Sequence, residues 1–163
     1  MSRHLRHTVD PGLATAMLAG PRLAVVGASG SSGNFGATIL HELRSRGIDA
    51  VAVHPTDTSL EGVDTYPSLA DVPGTVDAVI VMVGADRAVD VVRECATLGI
   101  TKVWLFRGVG GAGAASDEAI ELATELGLEV VPGACPLMFL EPVGWFHRVH
   151  RSARRARGAL AAA

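Results

Sequence analysis

The residues with the clearest chemical potential stand in one short run, Gly27-Ala28-Ser29-Gly30-Ser31-Ser32-Gly33-Asn34-Phe35-Gly36. Glycine tolerates positive φ and has no side chain to block a phosphate. The amides of such a turn, with the free N–H groups of a following helix start, can converge on an anion. Ser29, Ser31, Ser32 and Asn34 add neutral donors, and no carboxylate occurs between Gly27 and Leu40. The chemistry implied is retention of a phosphate-bearing, nucleotide-like ligand.

Spacing narrows the choice of ligand. A nucleoside-triphosphate loop needs a lysine followed by serine or threonine at the helix start, and this run has no lysine. The dinucleotide fingerprint G-x-G-x-x-G works with an acid at the end of the second strand. Here the pattern is G-x-x-G-x-x-G-x-x-G, and the second strand ends in Val53-His54-Pro55. Asp49 stands at the wrong end of that strand, and Asp57 lies beyond Pro55. A phosphorylated or differently posed adenosine suits this pattern better than NAD.

Further candidates lie along the chain. His54 stands at a strand's carboxyl end, where it can face a ligand or bond the local main chain. Val83 and Gly84 end the third strand, and the glycine lets an adenine or ribose approach the backbone. Arg87, in the next helical turn, and Arg107, at the exit of the fourth strand, can each hold a phosphate oxygen. Cys135 follows the fifth strand and could pair with a ligand thiol as a mixed disulfide. No base, acid and nucleophile surround it in sequence, so no catalytic residue is assigned. His147 and His150 are three apart with no third ligand at hand, so no metal site is assigned.

Alternating strands and helices must position these residues. Apolar runs predict strands at Leu23–Gly27, Ala50–Val53, Ala78–Val83, Lys102–Phe106 and Leu128–Val131. Helical periods predict helices at Phe35–Arg46, Asp86–Leu98 and Ser116–Leu126, closed by Gly47, Gly99 and Gly127. A shorter helix within residues 9–20 starts at Asp10-Pro11, and Ser68–Asp71 forms a brief helical turn. Repeated strand–helix–strand units predict an α/β, Rossmann-like three-layer sandwich. Its five-stranded parallel sheet has the expected order 3-2-1-4-5. The ligand then belongs at the switch point between strands one and four, facing loops 27–36 and 106–113.

Composition bounds the partners. The 163 residues fit one domain, 1–163, with 48% hydrophobic and 19% charged residues. Five arginines and no acid fall in residues 147–157, which leaves 9 basic against 17 acidic residues elsewhere. An acidic body argues against nucleic acid as a partner. The basic segment 141–163 is a candidate contact for a protein partner or a second copy of the chain. No run of about 20 apolar residues predicts a membrane span, and no apolar leader precedes the fold, so a cytoplasmic protein is expected. Two cysteines make no disulfide framework.

Several short motifs share an order with a known family. Gly27-Ala28-Ser29, His54-Pro55, Tyr66-Pro67-Ser68-Leu69, Val103-Trp104-Leu105 and Gly133-Ala134-Cys135-Pro136 together resemble the small, single-domain CoA-binding proteins. These are similar to the N-terminal domain of the succinyl-CoA synthetase alpha subunit. The resemblance covers about residues 15–140. It implies a Rossmann-like domain that binds coenzyme A or an acyl-CoA. It places Gly27, Ala28 and Ser29 at the phosphates, with His54 and Pro55 lining the next part of the site. Val83 and Gly84 would lie by the nucleotide, and Leu105 and Phe106 would flank the pantetheine route. Succinyl-CoA synthetase uses a phosphohistidine from a second domain, and this chain ends near where that domain would begin. The expected function is therefore CoA binding without catalysis. Two alternatives stand beside it: an NAD(P)-binding oxidoreductase or redox sensor, and an interaction module of a larger acyl-CoA enzyme.

Overall fold

The computed structural model describes residues 8–108 and 113–141, with 152, 153, 155 and 158 beyond them. Residues 109–112 of the second glycine-rich loop and most of the arginine-rich segment, including His147 and His150, lie outside the described residues.

The chain forms a parallel sheet covered by helices on both faces. Strands β1 (Leu23–Val26), β2 (Ala50–Val53), β3 (Thr65–Tyr66), β4 (Ala78–Val81), β5 (Lys102–Leu105) and β6 (Glu129–Pro132) lie in the order β3-β2-β1-β4-β5-β6. Every residue of β1, β2 and β4 is buried, as unbroken apolar runs require where both faces are covered. Successive residues feed opposite layers. Leu23, Val25, Ile80 and Trp104 pack in one core with helices α1 (Pro11–Leu18) and α2 (Phe35–Ser45). Ala24, Val26, Val79, Val81 and Leu105 pack in the other with α3 (Ala85–Thr97) and α4 (Asp117–Glu125).

Helix ends follow from local chemistry. Asp10 accepts from the Gly12 and Leu13 amides at 2.8 and 3.3 Å, and Pro11 sits in the first turn. Ser116 caps α4 through the Ala119 amide at 3.2 Å. Gly47, Gly99 and Gly127 follow α2, α3 and α4 with φ between +74° and +77°. Helix α3 starts one residue before the predicted Asp86: Gly84 holds the cap position, and Asp86 falls inside the first turn. Among the described residues no helix is long and apolar enough to cross a membrane.

The sheet corrects the predicted topology in two ways. It has six strands, because Tyr66 and Thr65 pair with Val53 and Ala52 in a stretch that reads as turns. Two residues are too few to display a strand period. The second correction follows from the first. Since β3 takes the edge beside β2, the next strand crosses to the free side of β1, pairing Leu23 with Ala78 and Val26 with Val81. The sequence expectation places Ala78–Val83 outside strand two instead. The switch point consequently lies between β1 and β4, and the loop facing Gly27 is 82–84.

Candidate functional site

The turn after β1 is built around two close approaches. Gly27 has φ +98°, and a Cβ there would lie 2.6 Å from the Met82 carbonyl oxygen. Only glycine lets the end of β1 pass the end of β4 at this distance. At the other end of the turn, a Cβ on Gly36 would lie 2.9 Å from the Ala28 Cα, so α2 seats directly on the turn.

Asn34 locks these two ends together. Its Oδ1 accepts from the Ala37 amide at 2.8 Å and the Ser29 amide at 3.3 Å. Its Nδ2 donates to the Gly27 carbonyl at 3.0 Å. Both polar atoms of Asn34 thus bond the loop itself, and one N–H of Nδ2 is committed to Gly27. Ala28 is fully buried, Ser29 is 2% exposed, and Gly30 and Ser32 are exposed.

A cleft of about 170 Å³ opens at the switch point. Val26, Gly27, His54, Pro55, Met82, Val83, Gly84 and Arg87 line it. Gly27, His54, Pro55, Val83, Gly84 and Arg87 come from three separate stretches of sequence, and the fold brings them together. Sites for drug-sized ligands usually measure about 300–1,000 Å³, so this cleft fits one end of a long ligand. Gly84 gives α3 no side-chain cap, which leaves its first amides facing this end of the sheet. The exposed Arg87 guanidinium is paired with no carboxylate among the described residues.

His54 braces the connection after β2. Its Nδ1 accepts from the Asp57 amide at 2.9 Å and the Thr56 amide at 3.3 Å, which places the ring proton on Nε2. Pro55 is exposed beside it. The turn that follows folds over the glycine-rich loop: a Cβ on Gly30 would lie 2.3 Å from the Ser59 hydroxyl. Ser31 Oγ donates to Asp57 Oδ2 at 3.1 Å, and the Ser59 amide donates to Asp57 Oδ1 at 2.9 Å. The Ser59 hydroxyl, and then its amide, hold the Asp57 carboxyl down from 3.8 to about 2, with Ser31 and Ser29 adding to the effect.

The other expected residues are dispersed. Phe35 and Phe106 meet with ring centroids 5.5 Å apart, joining the start of α2 to the exit of β5 outside the cleft. Phe35 is 43% exposed, so this pair offers an apolar surface. Leu105 is fully buried in the α3/α4 core and has no surface for a pantetheine arm. Arg107 Nη2 donates to the Ala115 carbonyl at 3.3 Å, and its stem packs by Gly133, away from the cleft lining. Cys135 is buried next to the Trp104 layer, which closes its thiol to a ligand in this conformation.

The family described as "CoA binding domain" matches residues 21–141, most of the chain. The chain belongs to this family. Its CoA-binding domain is 31% identical over 118 residues to an ADP-forming acetate–CoA ligase I of Archaeoglobus fulgidus, covering 69% of this chain and 17% of the ligase. It is 26% identical to the alpha subunit of an ADP-forming acetate–CoA ligase II of Pyrococcus furiosus, covering 69% of this chain and 26% of that subunit. The chain thus spans about a quarter or less of these curated relatives. They relate it to the ADP-forming acetate–CoA ligases and do not single out the succinyl-CoA synthetase alpha subunit. A hypothetical protein from Pyrococcus horikoshii shares the fold, with TM-score 0.73 and 23% identity over 88% of this chain and 97% of that one.

Two residues at the site of this CoA-binding domain, Met82 and Ser59, escape sequence reasoning, and Asp57 is weighed there only as a partner for ribose. Met82 lines the cleft and aims its carbonyl at Gly27. It lies inside a predicted apolar strand, where nothing marks an edge. Asp57 and Ser59 reach the glycine-rich loop from a separate turn. The signal available is the Asp-x-Ser spacing, which favours a side-chain-to-backbone turn.

Proposed function

We propose that the protein binds coenzyme A or an acyl-CoA at the switch-point cleft and holds it without catalysing its conversion. The observation that carries this reading is the convergence of Gly27, His54, Val83, Gly84 and Arg87 on one cleft in a CoA-binding domain. The adenosine end enters between the β1 and β4 exits, where Gly27 and Gly84 bring backbone close. Arg87 faces a phosphate oxygen, a charge-assisted contact that favours anionic ligands. The pyrophosphate lies along the loop that ends at Asn34. The Phe35–Phe106 pair borders the path of the pantetheine arm and receives apolar atoms.

One feature supports holding over turnover. The cleft's titratable side chains are His54 and Arg87, and His54 has Nδ1 committed to two amides. Calorimetry with CoA, acetyl-CoA, NAD, NADP and ATP tests this reading. Saturable CoA binding, tighter than that of NAD and NADP, is the expected result. No CoA heat at millimolar ligand, or preferential NAD(P) binding, overturns it.

A second reading is a binding module that works beside separate ligase domains. The match to 17% and 26% of two ligase chains favours it. In that case acyl-CoA formation from acetate, ATP and CoA occurs only when separate ligase domains are supplied, and the chain alone shows none.

A further inference from the structure

We propose that Asp57 is an internal anion that fills the anion site of the glycine-rich loop, so that a ligand phosphate enters only by displacing it. This inference rests on the CoA-binding reading for its natural ligand. It stands on a set of hydrogen bonds. The serine hydroxyls of the loop are the donors that suit a phosphate oxygen. In the structure one of them faces a carboxylate: Ser31 Oγ donates to Asp57 Oδ2 at 3.1 Å. Ser59 closes the other oxygen with its amide, at 2.9 Å, and its hydroxyl, at 2.5 Å.

The fit is steric as well as electrostatic. Ser59 packs over Gly30 where any Cβ would collide, so the 57–59 turn sits flat on the loop that a phosphate must reach. His54 fixes the base of this turn through the Thr56 and Asp57 amides and also lines the cleft. A ligand in the cleft therefore touches the residue that anchors the covering turn. Phosphate and carboxylate compete for the same donors, and both being negative, they repel when close. Asp57 sets the affinity of the loop for its ligand and makes occupation of the loop and opening of the turn one event.

Three proteins test this: the wild type, Asp57→Asn and Ser59→Ala. The Asp57→Asn variant keeps the shape of the turn and removes its charge. The Ser59→Ala variant keeps the charge and loosens the turn. Each protein is titrated with CoA and with inorganic pyrophosphate by calorimetry, after thermal melts confirm folding. The expected result is roughly tenfold tighter binding by Asp57→Asn for both probes, the scale of one charge-assisted hydrogen bond. Ser59→Ala shows a smaller gain. Unchanged or weaker binding by Asp57→Asn, with CoA still bound by the wild type, overturns this inference and leaves the CoA reading intact. Pyrophosphate binding enhanced in Asp57→Asn without any CoA binding supports the inference and overturns the CoA reading. No binding of either probe by any of the three overturns both.

Discussion

Asn34 Nδ2 donates to the carbonyl oxygen of Gly27, 3.0 Å away, and so ties the start of α2 to the end of β1. The same side chain caps α2 through the Ala37 amide. One residue thus fixes both the helix start and the curvature of the loop. Replacing Asn34 with Ala removes a cap and a loop brace, at about 1–2 kcal/mol. In a domain of this size that lowers the melting temperature by roughly 2–8 °C. Asn34→Asp retains the cap and loses the donor to Gly27, so its melting temperature falls between those of the wild type and Asn34→Ala. Calorimetric melts of the three proteins check this order.

Gly27 admits no substitution. Alanine there meets the Met82 oxygen at 2.6 Å and adopts φ +98° under strain. Gly27→Ala destabilises the fold by roughly 2–4 kcal/mol, from backbone strain and forced displacement of β4's exit. Gly33→Ala is the control, since φ is +76° but nothing lies within 4 Å of its Cβ. It loses about 1 kcal/mol. Urea unfolding of both variants separates the two effects.

Asp57 gives the covering turn a dependence on acid. Its carboxyl is lowered from 3.8 to about 2 by the Ser59 hydroxyl and amide. A depressed folded-state value means that the ionised form stabilises the fold above the usual carboxylate range. That contribution fades as pH falls from about 4 to about 2. Wild type is therefore more stable than Asp57→Asn at neutral pH, and the difference between them shrinks across that window. Melting temperatures measured from pH 7 to pH 2 record it.

Cys95 is inert in the native protein. Burial on the inward face of α3 pushes its thiol up to about 12, and neighbouring Glu94 adds to the shift. At pH 8 almost none is thiolate, the form that reacts with alkylating reagents. Iodoacetamide leaves the Cys95 peptide unmodified until guanidinium unfolds the chain. Peptide mass mapping before and after unfolding provides the readout.

Much of this architecture is legible in the amino-acid sequence, for reasons that also mark the limits. Leu23–Val26 and Ala78–Val81 read as strands because both faces are covered and apolar residues run unbroken. Gly47, Gly99 and Gly127 mark helix ends because each must take positive φ. Gly27, His54, Gly84 and Arg87 are traceable to one site because all follow the carboxyl ends of strands. Thr65–Tyr66 is hidden because two residues show no period, and omitting it shifts β4 to the wrong neighbour. Leu105 stands at the expected strand exit, but side-chain alternation turns it into the core while Trp104 faces the other layer. Asp57 is invisible as a neighbour of the loop: absence of acid along Gly27–Leu40 says nothing of an acid that folds onto it.

Whether the cleft between β1 and β4 receives CoA is tested most directly by backbone amide shifts during a CoA titration of the labelled protein. Saturable shifts are predicted at Gly27–Asn34, His54 and Val83–Arg87, with Arg87→Ala weakening binding by about tenfold while the melting temperature holds. Saturable shifts confined to other surfaces, or none at millimolar CoA, would contradict CoA binding at this cleft.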